Sequence, residues 1–333
     1  MKAMQLKAAA PAAHRPLRQV ELPIPEPGEA EVLVRVSVCA VCRTDLHVIE
    51  GELPDPALPL TPGHQAVGRV ERCGSGCTRF RPGDRVGIAW LRHTCGACEH
   101  CRSGRENLCP GSSYTGYHAD GGYADYAVVH EDFAYAIPDR FDDAEAAPLL
   151  CAGIIGYRAL RRAAVPPGGR LALYGFGSSA HVVIQLAVHR GYEVHVSTRG
   201  EGHRALAAEL GAAWTGDAYD LPPIPVDGAI IFAPVGAMVP AALRAVGPGG
   251  TVVSAGIHMS AIPEMSYEES VFHEKVLTSV EANTREDGRE LLAEAAEIPI
   301  RPRVTTFPLE EANEALVQLK QDGFDGTAVL AIG

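Results

Sequence analysis

Four cysteines lie close together in one short segment of this 333-residue chain. They are Cys95, Cys98, Cys101 and Cys109, with gaps of two, two and seven residues between them. Four thiolates can complete a tetrahedral shell around Zn²⁺. An iron–sulfur cluster is the alternative metal site, but a ferredoxin-type run has a final gap of three residues. The spacing therefore favours a structural zinc site over an iron–sulfur cluster or four unligated thiols.

A second set of ligand-type residues is dispersed along the chain. Its members are Cys42, His64 and Cys151. Taken singly, each has an ordinary interpretation, since a lone cysteine is usually a small buried hydrophobe and a lone histidine a hydrogen-bonded polar group. A catalytic zinc, however, takes three protein ligands and leaves its fourth position open. Together the three residues supply such a Cys₂His set.

A glycine-rich turn follows a short apolar strand predicted at residues 170–174. The turn fits the pattern G-x-G-x-x-A and consists of Gly175, Gly177, Ser178, Ser179 and Ala180 with the intervening Phe176. Apolar residues spaced on one helical face follow it, so a helix is predicted to begin here. Backbone N–H groups at a helix start can hold a pyrophosphate. In this strand–turn–helix context the turn predicts a dinucleotide site.

The end of the next predicted strand bears on which dinucleotide is bound. NAD enzymes of this fold usually carry Asp or Glu there, which binds the ribose hydroxyls. Here Thr198 holds the position, with Ser197 before it and Arg199 after it. Because hydroxyls and a guanidinium suit a 2′-phosphate, NADP(H) is favoured over NAD(H). The alternative is that Arg199 is a solvated loop residue and NAD binds through other contacts.

Together these motifs resemble the zinc-containing medium-chain alcohol dehydrogenases, and the resemblance covers essentially the whole chain. The motifs are the Cys42–His47 block, Gly63-His64, Pro82–Val86, the four-cysteine segment, Leu150–Gly153 and the glycine-rich turn. The resemblance implies two zinc ions per chain, reversible hydride transfer between a small alcohol or aldehyde and NAD(P), and a homo-oligomer, either tetramer or dimer. The alternative is a catalytically silent relative that still binds zinc and nucleotide. Sequence changes that follow a loss of activity should erase the catalytic ligands first, and here they are present.

The resemblance also implies roles for the residues that follow Cys42. Zinc would act as a Lewis acid on the substrate oxygen. Thr44 would hydrogen-bond that oxygen, and His47 would pass its proton to solvent. Asp45 would orient His64 on the metal. Helix capping is the alternative role for Thr44 and Asp45, and the two roles are compatible.

Three residues bear on the substrate. Trp90 matches an aromatic position that lines the pocket in relatives acting on small alcohols, with a plain core tryptophan as the alternative. Ile49 and Leu53 stand where narrow-pocket relatives carry tryptophan. We therefore expect a roomier apolar pocket and favour a primary alcohol, aliphatic or aromatic.

Two positions depart from the family's pattern. Gln65 follows the ligand His64, where the family commonly has glutamate, and this should leave the metal more electrophilic. Thr327 follows the late Gly326, where many relatives carry an arginine that contacts the cofactor pyrophosphate. That contact is therefore missing or supplied elsewhere.

The elements that must position these groups follow two patterns. The first 150 residues read as short strands with Gly and Pro between them, typical of a β-rich domain. Beyond Cys151, strands alternate with helices, which predicts a doubly wound parallel sheet of the Rossmann type. The expected fold is α/β, with a Rossmann domain at 151–283 inserted in a GroES-like, zinc-binding catalytic domain formed by 1–150 and 284–333.

Composition excludes several other classes of protein. The formal net charge is −12 and no basic patch is visible, which argues against nucleic-acid binding. No apolar run reaches the length of a membrane-spanning helix, and the N-terminus lacks a signal-peptide pattern, so a cytoplasmic protein without membrane contact is expected. Three further cysteines, Cys39, Cys73 and Cys77, are interpreted as packing residues.

Overall fold

The computed structural model describes residues 1–333, which form two units. Unit 1 comprises Met1–Cys151, Ala282–Ala296 and Pro302–Gly333, and unit 2 comprises Ala152–Glu281 and Glu297–Arg301. The short segment Glu297–Arg301 therefore belongs to unit 2, whereas the sequence pattern assigned the whole tail after residue 283 to the first domain. None of the helices is long and apolar enough to cross a membrane.

Short strands dominate the first part of unit 1, where β-branched residues recur. The strands are β1 (Lys2–Leu6), β2 (Leu17–Glu21), β3 (Glu31–Val41), β4 (Ala66–Cys73), β5 (Arg85–Ile88), β6 (Leu91–His93), β7 (Ser113–Tyr114), β8 (Tyr126–His130) and β9 (Ala134–Ala136). The α-helices of this part are α1 (Arg43–Glu50), α2 (Glu99–Arg102) and α3 (Asp143–Ala146). Two strand pairs, β1–β2 and β6–β7, form separate antiparallel ribbons.

Strands alternate with helices in unit 2. The strands are β10 (Arg170–Tyr174), β11 (Glu193–Ser197), β12 (Trp214–Gly216), β13 (Val226–Ile231), β14 (Val246–Ser254) and β15 (Val276–Ser279). The helices are α4 (Ala152–Ala163), α5 (Ser178–His189), α6 (Glu201–Glu209), α7 (Met238–Ala245) and α8 (Tyr267–Ser270). The sheet order is β12-β11-β10-β13-β14-β15, and every neighbouring pair is parallel. This is the strand order of a doubly wound Rossmann sheet, so the predicted fold class is confirmed.

The end of the chain contributes to the main sheet of unit 1. Its elements are α9 (Arg285–Glu297), β16 (Val304–Pro308), α10 (Ala312–Lys320) and β17 (Thr327–Ala331). Strand β17 pairs antiparallel with β3, with Leu330 opposite Cys39. The sheet order is β16-β17-β3-β4-β5-β9, and β8 also pairs with β3. Strand β3 therefore lies within the sheet, and its last residue, Val41, directly precedes Cys42.

Each unit has its own apolar core. In unit 1 the core includes Val34 of β3, and in unit 2 it includes Ile231 of β13; both side chains are fully buried. Cys39 is fully buried in the core of unit 1, while Cys73 and Cys77 are half-buried and pack against it. These three thiols therefore have the packing role predicted for them.

Candidate metal centres and nucleotide site

Cys42 lies at the start of helix α1, directly after strand β3. Its backbone is extended, and its Sγ atom accepts a hydrogen bond from the backbone N–H of Thr44 at 3.4 Å. The Oδ2 atom of Asp45 accepts the backbone N–H of Cys42 at 2.9 Å, which completes a capping box. The helix cap is therefore made by Cys42 and Asp45, and Thr44 is not the capping residue.

His64 lies between Cys42 and Asp45. Its Nε2 atom is 3.3 Å from Cys42 Sγ, and its Nδ1 atom is 3.1 Å from Asp45 Oδ1. One carboxylate thus serves both the helix cap and the histidine. Cys151 follows the short 3-10 turn Ala147–Leu150. The ligand-type atoms of Cys42, His64 and Cys151 all lie within 4.8 Å of one another.

Burial and nearby charge determine how this cluster holds protons. Burial by itself disfavours a charged imidazole, but the Asp45 carboxylate and the Cys42 thiolate outweigh it and raise the pKa of His64 to about 10. The hydrogen bond with Cys151, together with burial, raises the pKa of the Cys42 thiol. A bound metal would replace these protons. Two thiolates and an imidazole whose other nitrogen meets a carboxylate form the donor set of a catalytic zinc site, so the residues fit this ion.

Two further polar side chains of α1 belong to this region. Thr44 and His47 are three residues apart and therefore share one face of the helix. Thr44 is half-buried, and His47 is 9% exposed. The Nδ1 atom of His47 is hydrogen-bonded to the carboxylate of Glu52, a residue that the sequence analysis did not identify.

Aromatic rings surround one side of His64. Trp90 is 7% exposed, meets the His64 ring edge-on at 4.8 Å, and stacks with Tyr114 and Tyr117 at centroid distances of 4.9 and 5.8 Å. Leu53 packs against the cluster that contains Trp90 and Tyr117. The sequence analysis missed both tyrosines, because nothing in their spacing connects them with the tryptophan.

Ile49 has a different environment from Leu53. It is fully buried and belongs to the main core cluster of unit 1, not to the cluster around Trp90. The structure therefore brings Trp90 and Leu53 together but does not group Ile49 with them.

The four-cysteine segment folds so that its sulfur atoms converge. Three of the Sγ–Sγ distances are 3.5, 3.5 and 4.0 Å, for Cys98–Cys101, Cys95–Cys109 and Cys95–Cys101. A tetrahedron of sulfurs around zinc would have edges of about 3.8 Å. Backbone N–H groups of Ala97 and Cys98 lower the pKa of the Cys95 thiol to about 6. The segment therefore stabilises thiolate at one ligand and fits a structural zinc ion.

An ion pair holds the four-cysteine segment to a distant part of unit 1. Glu106 lies inside the segment, and its carboxylate accepts three hydrogen bonds from the Arg285 side chain at 2.7–3.1 Å and a fourth from the Arg285 backbone N–H at 2.8 Å. Burial opposes ionisation of Glu106, but the hydrogen bonds from Arg285 outweigh it and lower the pKa of Glu106. This anchor was not predicted, since it joins residues far apart in the sequence.

The predicted dinucleotide turn joins β10 to α5. Gly175 has a φ of +87°, and a Cβ atom there would lie 2.9 Å from the Cβ of Ala233, so glycine is required. Gly177 is the N-cap of α5, no side chain caps this helix end, and a Cβ on Gly177 would meet nothing within 4 Å. The first turn of α5 contains Ser178, Ser179 and Ala180. Its start has the open approach that a pyrophosphate requires.

The end of β11 is more enclosed than the sequence suggested. Ser197 is 1% exposed and donates its hydroxyl to the Asp220 carbonyl at 2.9 Å. Thr198 is 3% exposed, and its carbonyl accepts a hydrogen bond from Arg204 at 3.1 Å. Arg199, in contrast, is exposed. Of the three residues predicted here, the arginine is therefore the one best placed to meet a ligand from solvent.

The two departures from the family's pattern are both buried. Gln65 is fully buried, and its backbone carbonyl accepts a hydrogen bond from the backbone N–H of Ala40 at 3.0 Å. Thr327 is fully buried at the start of β17, where its N–H donates to the Arg303 carbonyl at 3.0 Å. Thr327 therefore takes part in the strand pairing of the main sheet of unit 1.

Comparison with known proteins agrees with this geometry. The alcohol dehydrogenase GroES-like domain matches residues 28–139, and the zinc-binding dehydrogenase domain matches residues 180–297. A probable alcohol dehydrogenase of Mycobacterium tuberculosis is 50% identical, over 100% of this chain and 97% of the relative. An alcohol dehydrogenase of Geobacillus stearothermophilus is 36% identical, over 96% and 97% of the two chains.

Solved structures show the same likeness. An NAD-dependent alcohol dehydrogenase superposes with a TM-score of 0.90 at 26% identity and covers 100% of both chains. A zinc-binding dehydrogenase from Sinorhizobium meliloti, bound to NADP, has a TM-score of 0.86 at 28% identity, over 99% and 98% of the two chains. The fold and site thus define a zinc-binding dehydrogenase. The chain belongs to the zinc-dependent medium-chain alcohol dehydrogenase family, which confirms the resemblance seen in the sequence.

Proposed function

We propose that this protein is a zinc-dependent alcohol dehydrogenase that transfers hydride reversibly between a small alcohol and NAD(P), giving an aldehyde or ketone. The observation that carries the proposal is the cluster of Cys42, His64 and Cys151, whose ligand-type atoms lie within 4.8 Å of one another. The second hydrogen bond of His64, to Asp45, supports a metal-binding role because ligating histidines almost always have such a partner. A silent relative would have no need to retain this arrangement.

The proposed chemistry divides between bound groups and the chain itself. When bound, the zinc supplies a Lewis acid that makes the substrate hydroxyl more acidic, and the nicotinamide supplies the hydride acceptor. Asp45 keeps the Nδ1 proton of His64 in place and so directs Nε2 toward the metal position. The Thr44 hydroxyl accepts the substrate proton as it passes its own proton on, and His47 delivers a proton to solvent.

The proposed division of labour follows the two units. We assign the zinc-binding catalytic domain, predicted at 1–150 and 284–333, to unit 1, which includes Cys151, and the dinucleotide-binding domain, predicted at 151–283, to unit 2. Support comes from the parallel sheet of unit 2 and from the position of its glycine turn, which follows β10. That strand lies between β11 and β13, where the strand order reverses, and ligands of such sheets bind at this switch point.

The surroundings of His64 support an apolar substrate. Trp90, Tyr117 and Leu53 form an aromatic and aliphatic cluster on one side of that ring. Such a surface favours the carbon skeleton of a primary aliphatic or aromatic alcohol over a polyol, because a polyol would lose hydration there.

The proposed assembly is a homo-oligomer, a dimer or tetramer. Strand β15 is the last strand of the sheet in unit 2, and its Val276 and Leu277 are 46% and 39% exposed. Nearby in sequence, Tyr267 and Phe272 are 61% and 51% exposed. An apolar sheet edge is a common surface for pairing with a second chain. A monomeric mass in sedimentation analysis would contradict this assembly.

Zinc content and turnover test the function together. Purified protein should contain about two zinc ions per chain, because seven ligand residues form two sets. It should also oxidise at least one alcohol of a panel of primary, secondary and aromatic alcohols with NAD⁺ or NADP⁺. Stoichiometric zinc without turnover on any member of the panel, in either direction, would instead support the silent relative.

Cofactor preference is a separate prediction. We propose that NADP(H) is preferred over NAD(H), because Thr198 holds the position after β11 where NAD enzymes usually carry Asp or Glu, and exposed Arg199 can meet the 2′-phosphate. A charge-assisted contact of this kind is worth about 1.5–3 kcal/mol, or roughly 10- to 150-fold in preference. Arg199→Ala should therefore lower kcat/KM for NADP⁺ by at least about 10-fold relative to NAD⁺.

A matched variant controls for the loss of positive charge. Arg244 is an exposed arginine in the last turn of α7, directly before β14. It therefore lies toward the amino ends of the parallel strands, whereas ligands of such sheets bind at the carboxyl ends. Arg244→Ala should leave the ratio of kcat/KM values unchanged. If wild type prefers NAD⁺, or if Arg199→Ala leaves the ratio as it was, Arg199 does not recognise the phosphate.

A further inference from the structure

Helix α1 ends in a way that returns the chain to His47. Gly51 caps the helix in the left-handed conformation, with a φ of 77°, and its N–H donates to the Val48 carbonyl at 3.3 Å. The N–H of Glu52 donates to the His47 carbonyl at 2.9 Å. These two hydrogen bonds form a Schellman motif. The motif fixes the backbone of Glu52 one turn beyond His47, which brings the two side chains together.

The hydrogen bond between these side chains determines the tautomer of the ring. The carboxylate of Glu52 bonds to Nδ1 of His47. An ionised carboxylate only accepts hydrogen bonds, so Nδ1 carries the proton. In the neutral ring Nε2 is then the proton acceptor. A histidine that receives a proton from the substrate side requires this tautomer.

Burial differs sharply between the two partners. The His47 side chain is 11% exposed, whereas the Glu52 side chain is 41% exposed. The carboxylate therefore connects a buried ring with bulk water. Since it also bears a negative charge, it stabilises the ring while that ring holds two protons.

We propose that Glu52 is a positioning residue for His47 and the outer end of the proton path. One proton enters the ring at Nε2 and one leaves from Nδ1 to the Glu52 carboxylate, which then releases it to water. The ring is then neutral with its proton on Nε2, and proton exchange with water restores the tautomer protonated on Nδ1 for the next turnover. No electrons move in this step. The inference rests on the proposed alcohol dehydrogenase function, because it needs a substrate proton to carry.

The other charged groups around α1 have partners of their own. Asp45 is bonded to His64, Arg43 pairs with Asp322, and Glu50 pairs with Lys320 of α10. Glu50 also accepts the backbone N–H of Ala12 at 2.7 Å. The turn Ala12–His14, which also packs against α1, ends on the exposed His14. Glu50 also lies close enough to His47 to interact with it electrostatically, but its hydrogen bonds go to Ala12 and Lys320, so it holds the helix, whereas Glu52 bonds the ring itself.

Three substitutions at Glu52 test the proposal. Glu52→Ala removes both the acceptor and the charge, Glu52→Gln keeps an acceptor oxygen without the charge, and Glu52→Asp keeps both. Alcohol oxidation should be followed as kcat and KM between about pH 6 and pH 9, around the range in which an imidazole titrates. We expect the alanine variant to lose about 10-fold or more in kcat near neutral pH. Losses of this size follow the removal of hydrogen-bond partners that orient functional histidines at metal sites.

The glutamine and aspartate variants and the pH dependence of the rate distinguish the charge of Glu52 from its hydrogen bond. The glutamine variant should fall between alanine and wild type, and the aspartate variant should recover most of the rate. The alanine deficit should shrink toward the alkaline end, where solvent base takes the proton directly, and KM for the cofactor should stay unchanged. Glu29→Ala is the matched control: Glu29 is an exposed carboxylate of unit 1 that lies before β3, outside helix α1 and the aromatic cluster. It should behave as wild type.

The outcomes separate this inference from the proposed function. A wild-type protein without alcohol dehydrogenase activity would contradict the proposed function itself. An active wild type whose rate and pH profile are unchanged in Glu52→Ala would overturn the role of Glu52 alone. Equal losses in the alanine and aspartate variants at every pH, with a lowered melting temperature, would show that Glu52 serves only the fold and would also overturn it.

Discussion

Cys42→Ser should abolish turnover while leaving unit 1 folded. Loss of one of the three proposed zinc ligands should remove the Lewis acid, which is worth several kcal/mol in the transition state, so kcat should fall by at least about 10³-fold. Serine is itself a favoured N-cap residue, and it can accept the Thr44 N–H that Cys42 Sγ accepts now. Helix α1 should therefore form normally, and zinc analysis should show the loss of roughly one ion per chain.

Cys73→Ser is the matched control for Cys42→Ser. Cys73 is a half-buried thiol of unit 1 that packs against the core and belongs to neither ligand set. Its substitution should preserve both zinc ions and most of the turnover. Full activity in Cys42→Ser, or a zinc content equal to that of the control, would remove Cys42 from the metal site.

Cys98→Ser should have the second largest effect, and it should act on stability. Cys98 caps helix α2, and its Sγ accepts the Cys101 N–H at 3.5 Å. Serine can keep that cap, so the substitution isolates the loss of a metal ligand. Structural zinc binding is linked to folding by about 10–16 kcal/mol in small domains. The melting temperature should fall by at least about 5 °C, since each kcal/mol shifts a domain of this size by about 2–4 °C.

Local proteolysis and a metal-free comparison complete this test. The segment Cys95–Cys109 should become sensitive to protease in Cys98→Ser, because it would then lack one of the four thiolates proposed to bind its zinc. Cys77→Ser, another half-buried thiol outside the ligand sets, should melt like wild type. A variant that keeps its melting temperature but loses turnover and the more weakly held zinc would mean that the two sites have exchanged roles.

Local spacing made much of the site predictable. The sulfurs of the four-cysteine segment converge because they lie within one short loop, and ligands so close in sequence have few other arrangements. The glycine turn was predictable for a similar reason: Gly175 needs a left-handed backbone and a close approach to Ala233, which no other residue provides. In both places the physical requirement is visible in neighbouring residues.

Other predictions depended on residue type alone or were changed by the structure. Cys151 was grouped with Cys42 and His64 by residue type alone, as the third member of a Cys₂His set, since no short-range rule connects positions so far apart. Ile49 was expected to line the substrate pocket together with Leu53; its side chain is fully buried in the main core of unit 1, whereas Leu53 packs with the cluster of Trp90. The hydroxyl of Ser197 was expected to face a cofactor, but it is occupied by the carbonyl of Asp220.

The sequence by itself determined the family, the Rossmann and β-rich classes of the two parts, and the identity of the residues able to bind metal. These follow from residue type and short spacing, which tertiary packing does not alter. Only the tertiary structure decided that Asp45 serves both Cys42 and His64, and that Glu106 is held by Arg285. It also decided that Glu52 returns to His47. Such pairings depend on where the chain turns and on which side chains lose water together, and these are properties of the folded chain as a whole.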